Sequence, residues 1–216
     1  MPVPDRTTTR DLWAAVHAER AALVDQLSTL DDEQWAAPSL CGRWSVREVV
    51  AHLTAAASVG RVWWLASVLG ARLDFDLHNQ RRLAEHLGTS PQDTLAGLRR
   101  VVTSTTAASG HTPAWLGEVV VHGQDIRRPL GLPVTTPPER AETVARFFVS
   151  RDFTVPSRTT SAGLRLRADD GALDVGSGPE VVGPTLALTM VLAGRAAFLE
   201  DLSGPGVPTL AGRLDG

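Results

Sequence analysis

Apolar residues near the start of the chain fall three and four positions apart. Leu12, Val16, Leu23, Leu27 and Leu30 share one helical face, with Glu19 and Arg20 among the polar residues between them. This predicts a first helix. A loop with Pro38 and Gly42 separates it from GRWSVREVVAHLTAAASVGRVWWLASVLG. There Ser45 and Glu48 have capping-box spacing, and Trp44 and Val49 occupy the positions of a hydrophobic staple. A second helix is therefore expected from about Val46 toward Gly70, with His52 on or beside its inward stripe. FDLHNQRRLAEHLG predicts a shorter helix ending at Gly88. Ser90-Pro91 is an N-cap followed by proline at the first helical position, and it opens a helix carrying Leu95, Leu98 and Val102. Thr112-Pro113 repeats that signal and opens a helix that must end before Pro129.

The pattern then changes. LGLPVTTPP reads as a linker, followed by a helix from about Glu139 to Ser150. In AGLRLRADDGALDV, Leu164 and Leu166 alternate with Arg165 and Arg167, and Asp170-Gly171 supplies turn chemistry, so a hairpin is expected. GPTLALTMVLAGRAAFLEDL returns to helix. The fold class is mainly α: an antiparallel helical bundle over residues 1–136, then a small α/β domain over residues 137–216.

Composition narrows the function classes. With 216 residues and a net charge of −3, the chain has no basic field to recruit nucleic acid. All 21 basic residues are arginine, which together with abundant alanine suggests a GC-rich genome such as an actinobacterium's. A single cysteine, Cys41, permits no internal disulfide. No signal-like N-terminus and no apolar run of membrane-spanning length are evident, so a cytoplasmic location without membrane partners is expected.

The stretch GEVVVHGQDIRRPLG carries the candidate chemistry. On a strand Glu118 and His122 would lie roughly 13 Å apart; on a helix they are about 6 Å apart, one turn above each other. The Thr112-Pro113 start favours the helix, so both could touch one ion. A catalytic zinc site usually has three protein ligands and an open position, and His52 is the obvious third. The same spacing also fits an ordinary helix pair, with His52 a satisfied core histidine. Asp125 could fix the tautomer of a ligand imidazole, or be a solvated helix residue. Arg127 and Arg128 fit the helix C-terminus, where they complement the macrodipole; an anion-binding role is the alternative. Cys41 reads as structural. His17, His78, His86 and His111 have no partner at metal spacing and read as surface.

Three stretches together resemble a known group. Residues 44 to 53, WSVREVVAHL, are similar to the first metal-histidine motif of the mycothiol-dependent maleylpyruvate isomerase family, within the DinB-like helical-bundle superfamily. GEVVVHGQDIRRPLG resembles its second motif. The tail from about Gly163 is similar to its small sterol-carrier-like C-terminal domain. The resemblance implies a four-helix bundle holding a divalent metal, usually zinc, on His52, Glu118 and His122, with the thiol mycothiol as cosubstrate. It adds Asn79 and Arg82, in a familial D-x-x-N-x-x-R arrangement, and Arg195, in L-A-G-R, as candidates for binding substrate or thiol. The implied activity is thiolate addition to a small electrophile, giving cis–trans isomerisation or thiol transfer in detoxification or biosynthesis. A non-catalytic metal or small-ligand carrier is the reading from another class.

Overall fold

The computed structural model describes residues 8–42, 44–58, 60, 83–153 and 155–214. They form two compact units, one through Thr135 and one from Thr136.

In the first unit α1 (Thr9–Leu27) begins with a capping box between Thr8 and Asp11. It ends before Leu30, which the periodicity had included. A short α2 (Asp32–Ala36), capped by Asp31 and Gln34, has no apolar repeat long enough to announce it. α3 (Val46–Ser58) starts where the sequence placed it. Ser45 N–H donates to Glu48 Oε2 at 2.8 Å, and Glu48 N–H returns to Ser45 Oγ at 3.3 Å. The expected continuation toward Gly70 lies outside the described residues. Residues 83–86 are helical, and Gly88 follows at φ +71°. α4 (Pro91–Arg100) is capped by Ser90, whose Oγ accepts from Asp93 N–H. α5 (Thr112–Leu130) completes the unit. α1 packs on α4 and α5, and α3 packs on the same two, which closes a four-helix bundle. Its core is aliphatic, with Val16, Leu23, Val49, Leu53, Leu98, Leu116 and Val120 buried.

The expectation that α5 ends before Pro129 is overturned: it runs through Pro129 and stops at Gly131, in the left-handed conformation. Proline in a helix normally leaves the carbonyl four residues back without its donor. Here that carbonyl belongs to Asp125, and Leu40 N–H from the α2–α3 loop takes it at 3.0 Å. A chain segment from elsewhere thus satisfies the group that proline frees. Among the described residues, no helix is long and apolar enough to cross a membrane.

The second unit opens with α6 (Pro138–Ser150) and a short α7 (Ser157–Ser161). The expected hairpin forms between β1 (Arg165–Ala168) and β2 (Asp174–Gly176), with Leu166 paired to Val175. β3 (Glu180–Gly183) adds parallel to the other edge of β1, giving the order β2-β1-β3. The single helix expected next is two pieces: α8 (Thr185–Leu192) and a 3₁₀ turn (Ala196–Asp201), divided at Gly194 with φ +84°. α9 (Val207–Gly212) follows. α8 packs on α6 and touches β1 and β3.

Gly176 ends β2 at φ +81°, and a Cβ there would fall on the Leu164 carbonyl. Gly176→Ala is therefore expected to destabilise the protein by about 1–3 kcal/mol. The urea midpoint measures this; an unchanged midpoint would show that the strand end relaxes freely.

Candidate metal centre

α5 carries Val119, Val120 and Val121, a β-branched run that alone would suit a strand. All three are buried in the bundle, and this burial outweighs local propensity. Helical geometry then stacks Glu118 and His122 one turn apart, and α3 brings His52 against them. His52 Nε2 lies 2.7 Å from Glu118 Oε1, and His122 Nε2 lies 3.7 Å from the same oxygen. One donor atom from each of the three falls within 4.8 Å of the others.

Asp125 is fully buried, and its Oδ2 lies 2.9 Å from His122 Nδ1. An ionised Asp125 would accept from Nδ1 and so leave the Nε2 lone pair on the side of Glu118. A lone pair and a carboxylate oxygen facing each other at 3.7 Å suit a shared cation. The donor set of two imidazole nitrogens and one carboxylate oxygen fits a divalent ion of the zinc type. Side-chain exposures of 18% for His52, 28% for Glu118 and 12% for His122 leave a path for a further ligand.

Aromatic and charged groups frame the centre. The Trp44 and His52 rings are 4.9 Å apart, and the His52 and His122 rings meet edge-on at 4.9 Å. Arg20 reaches in from α1 and donates through Nη1 to the carbonyls of Val101 and Ser104, at 3.1 and 2.8 Å. Burial pushes its guanidinium down to about 10, and the negative charge of Glu118 works against that shift. Arg20 therefore remains a cation at neutral pH. Sequence reading passed over it as a polar spacer. The signal was present: Arg20 is four residues after Val16 and three before Leu23, on the buried stripe.

Arg127 corrects the sequence reading. It is 1% exposed, and its Nε donates to Gln26 Oε1 of α1 at 2.7 Å. Burial lowers its pKa, and the equally buried Glu19 opposes that shift. It is part of a buried ionic layer, not a solvated partner of the macrodipole. His17 also departs from the surface reading: it is half-buried, with Nε2 3.3 Å from the Ser104 carbonyl. His111 is exposed and precedes α5. Cys41, expected to be structural, lies with His122 and Asp125, one donor atom of each within 4.8 Å of the others. Asn79, Arg82 and His78 lie outside the described residues. Arg195 sits in the second unit, ahead of the 3₁₀ turn, and donates to the Ala193 carbonyl at 2.7 Å.

Comparison with known proteins shows what the chain is similar to. The profile of the mycothiol maleylpyruvate isomerase N-terminal domain matches residues 16–116. Residues 16–116 of the helical unit are similar to that domain. In the mycothiol maleylpyruvate isomerase N-terminal domain, the matched span contains α3 with His52 and stops just short of Glu118. The whole chain is similar in fold to the crystal structure of a mycothiol-dependent maleylpyruvate isomerase. The TM-score is 0.62 at 14% identity, covering 95% of this chain and 96% of that one. A histidine-to-alanine mutant of a mycothiol-dependent maleylpyruvate isomerase matches with TM-score 0.60 at 13% identity, with the same coverage. The mainly helical fold is thereby shared. No curated protein sequence matches at a significant level.

Proposed function

We propose that this protein is a metal-dependent, mycothiol-using enzyme that adds a thiolate to a small electrophile, with cis–trans isomerisation of a maleylpyruvate-like substrate as its reaction. The observation that carries the reading is the convergence of His52, Glu118 and His122 within 4.8 Å at a partly buried point. A divalent ion held there, zinc by its donor set, would bind a thiol as the thiolate and make it nucleophilic at neutral pH.

The chain's own residues supply the rest. Asp125 fixes the His122 tautomer through Nδ1, which keeps Nε2 available as a donor. Arg20 places a positive charge near Glu118. Trp44 covers one side of His52 and limits water there. The family resemblance keeps Asn79 and Arg82 as candidate contacts for substrate or thiol, a guanidinium group being suited to a carboxylate.

The test is conversion of maleylpyruvate to its trans isomer by zinc-loaded protein, with and without mycothiol. Turnover is expected only with the thiol, is abolished in Glu118→Ala, and falls about 10- to 100-fold in Asp125→Ala. Stoichiometric mycothiol binding without turnover would instead favour a carrier. Consumption of mycothiol into a stable adduct would favour thiol transfer.

A further inference from the structure

We propose that Cys41, His122 and Asp125 form a second metal site, suited to a soft, thiophilic divalent ion and sharing His122 with the first centre. One donor atom from each of the three lies within 4.8 Å of the other two.

The loop that carries Cys41 is fixed in place. Leu40 N–H is bonded to the Asp125 carbonyl at 3.0 Å, which anchors the residue before Cys41 on α5. Cys41 N–H donates to Ser39 Oγ at 3.0 Å, and Ser39 Oγ donates to the Trp44 carbonyl at 2.7 Å. Gly42 turns the chain at φ +61°, and Trp44 N–H closes the turn on the Cys41 carbonyl. The backbone of Cys41 is therefore held beside the His122–Asp125 pair.

A cysteine, a histidine and an aspartate together also suggest a nucleophile, its base and an orienting acid. The distances argue against that. In such a relay the imidazole stands between the other two, so two hydrogen bonds of about 3 Å and the ring width separate sulfur from carboxylate. Here sulfur and carboxylate oxygen are themselves within 4.8 Å. The three donors lie close enough together to share one ion. One thiolate, one imidazole and one carboxylate make a donor set softer than that of His52, Glu118 and His122, and thiolate selects soft metals. Binding releases the thiol proton and replaces the His122–Asp125 hydrogen bond by coordination to the ion; no oxidant or reductant is needed.

Cadmium titration of the full chain tests the proposal. Cys41 is the single cysteine, so the ultraviolet thiolate-to-cadmium band reports this site alone. The band is expected to saturate near one ion per chain, to persist in His52→Ala and to be absent in Cys41→Ser. In Asp125→Asn its midpoint should move to about tenfold higher cadmium or more. No band at equimolar cadmium overturns the proposal. A band unchanged in Asp125→Asn also overturns it, because the thiol then binds alone. A band lost in a folded His52→Ala protein overturns it too, because Cys41 would then belong to the first centre. Zinc content of Cys41→Ser reads the first centre independently, so failure here and failure of the proposed function give different results.

Discussion

In a Cys41→Ser background, Glu118→Ala and His52→Ala are each expected to take the zinc content of the purified protein from about one ion per chain to near zero. Glu118 Oε1 is the shared neighbour of both histidines, at 2.7 and 3.7 Å, so its loss removes the centre's only carboxylate ligand and its negative charge. His52 is the sole ligand from α3, and without it α5 alone offers two donors. Both residues are partly exposed, so truncation creates no deep cavity, and the variants should melt close to the metal-free parent. Elemental analysis after zinc reconstitution and desalting is the measurement. A parent protein that retains no ion would reduce His52, Glu118 and His122 to a polar cluster of the bundle.

The second large effect concerns stability. Arg127→Met is expected to cost about 3 kcal/mol, because it removes a buried cation whose charge acts on the buried Glu19 carboxylate. Gln26 Oε1 loses its donor in the same change. Replacing both charges, in Glu19→Leu with Arg127→Met, should recover most of that loss, since apolar pairs of similar volume often replace buried ion pairs without penalty. Urea midpoints of the two single variants and the double variant form the cycle. Additive losses would show that Glu19 and Arg127 do not act as a pair.

Much of this architecture was legible in the sequence because its signals are local. The Ser45–Glu48 box, the Ser90-Pro91 start and the alternation around Leu164 and Leu166 each depend on residues within a few positions. Glu118 and His122 could be placed together once a helix was assumed, since one turn fixes their separation. What was not legible depends on partners distant in sequence. Pro129 reads as a stop until Leu40 is seen to fill the Asp125 carbonyl. Arg127 reads as a surface cation until Glu19 and Gln26 of α1 face it. Cys41 had no histidine within local reach, and the one it meets lies on α5. β3 pairs parallel with β1, and such a pairing has no turn signature of its own.

The charges on the inward stripe of α1 also bear on how the chain is made. Glu19 and Arg20 emerge from the ribosome long before Arg127 and the Ser104 carbonyl, the groups that later accommodate them. Until then burying that stripe would strip water from two ions. The early half of the nascent bundle is thereby discouraged from closing on itself. Arrival of α5 supplies the countercharge together with Glu118 and His122, so closure of the bundle and assembly of the centre become one event in the life of the chain.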